Sequence, residues 1–160
     1  MARLIDTNVL VYRVDPRDPA KQRIAHDVLR AGLIDDSLVL PHQAIVEFVA
    51  AVSRPRSDLG GQPLLPRAEA LLEAEALASQ FRVVYPNADV LTTALRGCAT
   101  YQLPWFDAHL WAYAECFGLT EIISEDFEHG RHLGRVRIFD PFLVASDQVR
   151  ELPALYEASQ

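Results

Sequence analysis

Residues 4–8 read Leu4-Ile5-Asp6-Thr7-Asn8, a short apolar run that stops at an acid followed by two polar side chains. That pattern reads as a buried strand delivering the chain into a turn or a helix. The acid at the stop has two readings. Asp accepts the first free amide hydrogens of a helix that begins after a strand. It also lies where open α/β sheets gather their ligands, outside the carboxyl ends of the strands. Near the other end of the chain Glu121-Ile122-Ile123-Ser124-Glu125-Asp126 repeats the theme, and Asp126 carries the same two readings.

Between these two points the punctuation is regular. Ile24, Ala25, Val28 and Leu29 recur at helical spacing within 18–31, and Asp35-Asp36-Ser37 turns the chain into a strand, Leu38-Val39-Leu40, stopped by Pro41. Residues 42–53 predict a helix with Ile45, Val46, Phe48, Val49 and Val52 on its buried side. Three prolines and a Gly-Gly pair make 54–66 an exposed loop. Helices are then expected over 67–79, from Pro86-Asn87 to about Tyr101, and over 106–117, with a short strand over 81–85 and a last one over 136–139. Strands alternating with helices imply crossovers and a mostly parallel sheet covered on both faces, in a fold of the α/β class. One domain over 1–145 follows, with 146–160 a peripheral C-terminal segment.

The 160 residues are 50% hydrophobic and 23% charged, enough for a sizeable core. MARLIDTNVLVYR lacks the apolar stretch of a signal peptide, and no run is long enough to cross a bilayer, so a cytoplasmic protein is expected. Cys98 and Cys116 form no CxxC pair and read as buried, reduced thiols. The net charge of −7 weighs against a polyanionic substrate, since nucleic-acid binders neutralise phosphates with Lys and Arg. A site that gathers divalent cations softens the objection without removing it: its carboxylates add to the negative total, and its ions supply local positive charge that a residue count misses.

Two further acids stand among apolar neighbours. Glu47 interrupts Ile45-Val46-Glu47-Phe48-Val49, so it either reaches the solvent edge of its helix or points into a partly enclosed site, where an unpaired charge would be costly. Asp107, in Trp105-Phe106-Asp107-Ala108-His109, falls in the first turn of a helix, where the dipole favours an acid and capping competes with function. Asp6, Glu47, Asp107 and Asp126 thus fall at two strand ends and on two helices that could flank them. Four like charges brought together bind hard divalent cations such as Mg2+ or Mn2+, which prefer oxygen ligands.

At these residues the sequence resembles the PIN-domain family and, within it, the VapC-type toxins, over about 4–142. LIDTNVLVY is similar to the family's first acidic motif, with Asp6 in the metal-binding place and Asn8 orienting it. PHQAIVEFVAAVSR matches the second, LPWFDAHLWAYAECFG the third, and ISEDFEHG the last, with Ser124 as a supporting hydroxyl beside Asp126. IFDPF resembles a closing segment in which relatives often carry Asn where Asp140 stands. The resemblance implies a three-layer α/β/α sandwich, with Asp6, Glu47, Asp107 and Asp126 as catalytic metal ligands for one or two Mg2+ or Mn2+ ions. It further implies endonucleolytic cleavage of RNA by a metal-activated water, an antitoxin partner and a homodimer. A degenerate domain that binds RNA or protein without cutting is the alternative.

RNA contacts are expected from Arg54, Arg56, Arg131, His132 and Arg135, each with an ordinary surface cation as the competing reading. Glu125 and Glu128 read as solvated charge, Asp140 as a turn or cap residue, and His109 as a packed or hydrogen-bonded histidine. Trp105, Phe106 and Trp111 read as core, although an exposed Trp105 would suit base stacking. A haloacid-dehalogenase-like phosphatase needs a second Asp where Asn8 stands, and a receiver domain needs a late lysine where the only one is Lys21.

Overall fold

In the computed structural model, which describes residues 1–143, a six-stranded sheet has the order β3-β2-β1-β4-β6-β5. The strands are β1 (Arg3–Ile5), β2 (Leu38–Pro41), β3 (Arg82–Val84), β4 (Glu121–Ile123), β5 (His132–Leu133) and β6 (Val136–Phe139). β1 pairs in parallel with both β2 and β4, and β2–β3 and β4–β6 are parallel as well. Only β5 runs antiparallel, as a hairpin onto β6. It was not foreseen, because two residues are too few to show a period. The helices are α1 (Thr7–Val14), α2 (Pro19–Ile34), α3 (His42–Ser53), α4 (Arg67–Gln80), α5 (Ala88–Tyr101) and α6 (Trp105–Cys116), with a single 3-10 turn at Ser57–Leu59.

Successive strand residues point to opposite faces, and the strands obey this closely. Leu4, Val39, Ile122 and Ile138 enter one apolar cluster, with α5 and α6. Ile5, Leu38, Leu40 and Ile123 enter the other, with α1 to α4. Two cores on two faces of one sheet make the three-layer α/β/α sandwich. Gly97 lets α5 and α6 approach: a Cβ there would lie 2.7 Å from the Trp111 ring. Trp111 Nε1 also donates to the carbonyl of Leu133, tying α6 to the β5–β6 hairpin.

Several details differ from expectation. In α3 the fully buried stripe is Ala44, Phe48 and Val52, spaced by four, while Val46 is 54% exposed and Ile45 and Val49 are half-buried. A run apolar on nearly every side leaves its rotation about the helix axis open, and packing sets it. Cys98 is half-buried and Cys116, the last residue of α6, is exposed, and both are free thiols. The expected boundary at 145 and the segment 146–160 lie outside the described residues.

Candidate active site

The strand order reverses where β1 and β4 lie side by side, since β2 continues from β1 in one direction and β6 from β4 in the other. At such a switch point the loops leaving adjacent strands diverge and open a crevice at the carboxyl edge. Asp6 directly follows β1, and Ser124 to Asp126 directly follow β4. A cleft of about 370 Å³ opens there. Asp6, Glu47, Asp107 and Asp126 all line it.

Asp6 is the deepest of the four, at 8% exposure. Its Oδ1 accepts the Thr7 amide at 2.6 Å, so the capping reading is realised, and one oxygen is spent on the start of α1. Its Oδ2 accepts from Ser124 Oγ at 2.6 Å and from Asn8 Nδ2 at 2.9 Å. Ser124 is fully buried, and its Oγ in turn accepts from Asn8 Nδ2 and from the Asp126 amide. The two polar residues flanking Asp6 therefore have separate work: Asn8 bridges it to Ser124, while Thr7 Oγ1 donates to Glu47 Oε2 at 3.0 Å.

Burial, the largest cause, pushes the Asp6 carboxyl up to about 7, and repulsion from Asp126 and Glu47 adds to it; the Ser124 and Thr7 hydrogen bonds oppose the rise. Asp107 is raised from the ordinary carboxylate range by its own partial burial, then by Asp126 and Glu47. Capping does not explain Asp107. The N-cap of α6 is Pro104, and the Asp107 carboxylate takes no hydrogen bond among the described residues. Glu47 is held by Gln43 Nε2, one helical turn earlier, at 2.8 Å.

The donor set suits a hard cation. Every candidate ligand is an oxygen, the deepest is crowded by like charge, and the carboxylates of Asp107 and Asp126 are free to turn. Asn8 Oδ1 is a buried acceptor with no donor, a cost that a water or ion at the cleft wall would relieve. In the arrangement shown, no three His, Cys, Asp or Glu among the described residues converge on one point.

Around the acids the sequence reading needs amending. Glu125 is not a solvated charge: Lys21 Nζ reaches its Oε2 at 2.5 Å, and the Tyr12 hydroxyl donates to its other oxygen. Tyr12 and Lys21 lie more than 100 residues from Glu125 in sequence, so nothing local announced the pairing. Arg54 and Arg56 line the cleft, and Arg17 joins them unforeseen, bonded to the buried Asp15 and to Asp58. Arg131, His132 and Arg135 do not line it. Arg131 approaches the Tyr101 carbonyl, Arg135 lies 3.7 Å from Glu115, and His132 is exposed on β5. Glu128 is exposed, and Asp140 Oδ1 accepts the amides of Phe142 and Leu143, as a cap does.

Two of the three expected core aromatics are not core. Trp111 is buried, but Trp105 is 45% and Phe106 65% exposed. They occupy the first two positions of α6. Trp105 crosses the His109 ring edge-on at 4.4 Å, and His109 Nδ1 pairs with the Trp105 carbonyl at 3.0 Å, a packed and hydrogen-bonded histidine.

A family model described as the PIN domain matches residues 3–132. No curated protein matches the sequence. Among solved structures, a toxin–antitoxin complex from Klebsiella pneumoniae superposes with a TM-score of 0.62 at 17% identity, over 88% of this chain and 98% of that one. VapBC2 from Rickettsia felis, bound to a DNA fragment from its promoter, gives 0.63 at 9% identity, over 86% and 97%. Mycobacterium tuberculosis VapC20, described as a toxin that cleaves the sarcin–ricin loop, gives 0.56 at 16% identity, over 78% and 92%. At these identities the likeness is one of fold.

Proposed function

The chain belongs to the PIN-domain family, and on that premise we propose that it is a Mg2+- or Mn2+-dependent endoribonuclease, the toxin of a toxin–antitoxin pair. The observation that carries this reading is a single cleft that brings together Asp6 from the end of β1, Glu47 from α3, Asp107 from α6 and Asp126 from the segment after β4. Asp6, Glu47, Asp107 and Asp126 would hold the ion, directly or through water. A bound ion would activate the attacking water and neutralise charge developing on the phosphodiester.

The chain's own groups have distinct duties. Ser124 and Asn8 fix the Asp6 carboxylate through hydrogen bonds to Oδ2, and Thr7 and Gln43 fix Glu47 through one bond to each oxygen. Rigid carboxylates bind an ion with less loss of side-chain freedom. Arg54 and Arg56, on the same cleft, are assigned the phosphates of the RNA strand. Arg131, His132 and Arg135 would meet only a longer substrate reaching the β5–β6 edge.

The solved structures that share the fold include a toxin–antitoxin complex. An antitoxin is accordingly the expected protein partner, and one that presents Arg to the acidic cleft would pair with the carboxylates in place of the ion. A homodimer is the expected assembly. No helix among the described residues is long and apolar enough to cross a membrane.

Purified protein is incubated with total RNA in magnesium and then in excess EDTA. Cleavage that needs magnesium and is abolished by Asp6→Asn is the expected result. RNA that is bound but left intact under every metal condition points to the non-cleaving alternative, and cleavage that survives chelation defeats the assignment.

A further inference from the structure

Resting on the nuclease reading of this cleft, we propose that Phe106 is a stacking platform for one unpaired nucleobase of the RNA, flanking the phosphodiester that the acids address. The cleft has a direction. Gln43, Glu47 and Ala51 line it from one face of α3, at steps of four, and Arg54, the extended residue that follows the helix, lines it beyond them. From Gln43 to Ala51 that stripe is roughly 12 Å long at the helical rise, and Arg54 extends it to the reach of a few nucleotides of an extended strand. At its first end Gln43 Nε2 donates to the Phe106 carbonyl at 3.1 Å, and Phe106 lines the cleft. At its far end stands Arg54. Its guanidinium has no ion pair among the described residues, whereas Arg17 and Arg56 are both tied to Asp58.

An aromatic ring, an oxygen-rich cluster and a free guanidinium follow one another along the groove. A polynucleotide strand presents the matching series: a base, a scissile phosphate and a flanking phosphate. Phe106 and Asp107 line the same cleft, so a base held by Phe106 lies near the phosphate at the acids. The ring is 65% exposed and has no aromatic partner, unlike Trp105, whose ring is already engaged with His109. Its backbone carbonyl is anchored by Gln43, which also donates to Glu47, so the platform and the acid keep a fixed spacing. A base in a duplex is already stacked on its neighbours; the substrate segment is therefore a single-stranded loop or end.

The test is fluorescence anisotropy with a 5′-labelled single-stranded RNA of mixed sequence, in calcium, followed by steady-state cleavage in magnesium. Phe106→Ala is expected to weaken binding roughly five- to a hundredfold, the range for one lost base–aromatic stack, with the loss in KM and little change in kcat. Phe106→Trp and Phe106→Tyr retain affinity, and Phe106→Leu, apolar without a π face, behaves like alanine. In an RNA series with an abasic ribose at each position in turn, wild type loses affinity at one position beside the cleavage site and Phe106→Ala loses none there. Arg54→Gln weakens binding to every sequence and lowers the salt dependence by about one phosphate contact.

Equal affinity of wild type, Phe106→Ala and Phe106→Leu overturns the platform and leaves the nuclease reading standing. RNA that wild type neither binds nor cleaves overturns both. A change from dimer to monomer in light scattering on Phe106→Ala, with unchanged RNA affinity, overturns the proposal by assigning this face to contact between copies.

Discussion

Ser124 Oγ, at the end of β4, donates a 2.6 Å hydrogen bond to Asp6 Oδ2, at the end of β1, across the point where the sheet reverses its strand order. The bond is buried and lowers the proton affinity of a carboxyl that burial has raised to about 7. Ser124→Ala removes it. The acidic limb of the pH–activity profile should then move upward, and the magnesium needed for half-maximal cleavage should rise by roughly 10- to 100-fold, the usual cost of losing a group that supports a ligand. Ser124→Thr keeps the hydroxyl and should retain most of the activity. An unchanged magnesium dependence in the alanine variant would show that the bond is only structural.

The raised proton affinity of Asp6 also governs stability without metal. Its folded value of about 7 stands above its ordinary 3.8, so the folded chain holds the proton more tightly than the unfolded chain. The stabilising contribution is complete below 3.8 and is lost as the pH rises through 7. In EDTA, wild type should lose several degrees of melting temperature relative to Asp6→Asn between roughly pH 5 and pH 8. Magnesium at the higher pH should stabilise wild type and not the variant. Parallel pH profiles for the two proteins would contradict the assignment of the buried charge.

Lys21 and Glu125 join α2 to the segment that carries Asp126. The ammonium lies 2.5 Å from the carboxylate, 3.0 Å from the Tyr12 hydroxyl and 4.5 Å from the centre of the Tyr12 ring. Both side chains are largely covered, so Lys21→Met leaves a poorly solvated carboxylate behind and should cost about 1.5–3 kcal/mol, the range for a hydrogen bond to a charged group. Glu125→Gln should cost less, and the double variant should recover part of the loss. Chemical denaturation reads all three; strict additivity would mean that the pair contributes nothing as a pair.

Gly97 faces Trp111 with room for hydrogen only, since a Cβ would come within 2.7 and 2.8 Å of two ring carbons. The indole cannot swing away without giving up its 3.0 Å bond to the Leu133 carbonyl. Gly97→Ala should therefore destabilise the fold by about 1–3 kcal/mol, as overpacking does, and lower the melting temperature by roughly 2–4 °C per kcal/mol. A rise in melting temperature would indicate that the gain in helix propensity outweighs the clash.

Much of this protein is legible along the chain. Runs such as Leu4-Ile5 and Glu121-Ile122-Ile123 are bounded by polar clusters, so their strand character and the acids that follow them are local properties. The helix periods of α2 and α5 are likewise local, and alternating strands and helices fix the α/β class. Glu47 and Asp107 stood out because an ionisable group among apolar neighbours demands an explanation that can be seen without coordinates.

Tertiary structure decided the rest. Which side of α3 turns inward depends on what the sheet offers it, and the packing buries Phe48 and leaves Val46 in solvent. The pairing of Lys21 with Glu125, the arrival of Arg17 at the cleft and the exposure of Phe106 all join or separate residues far apart in sequence. A chain's local preferences extend over a turn or two; a cleft is made where separate segments meet, and its charges, partners and open faces exist only once they have met.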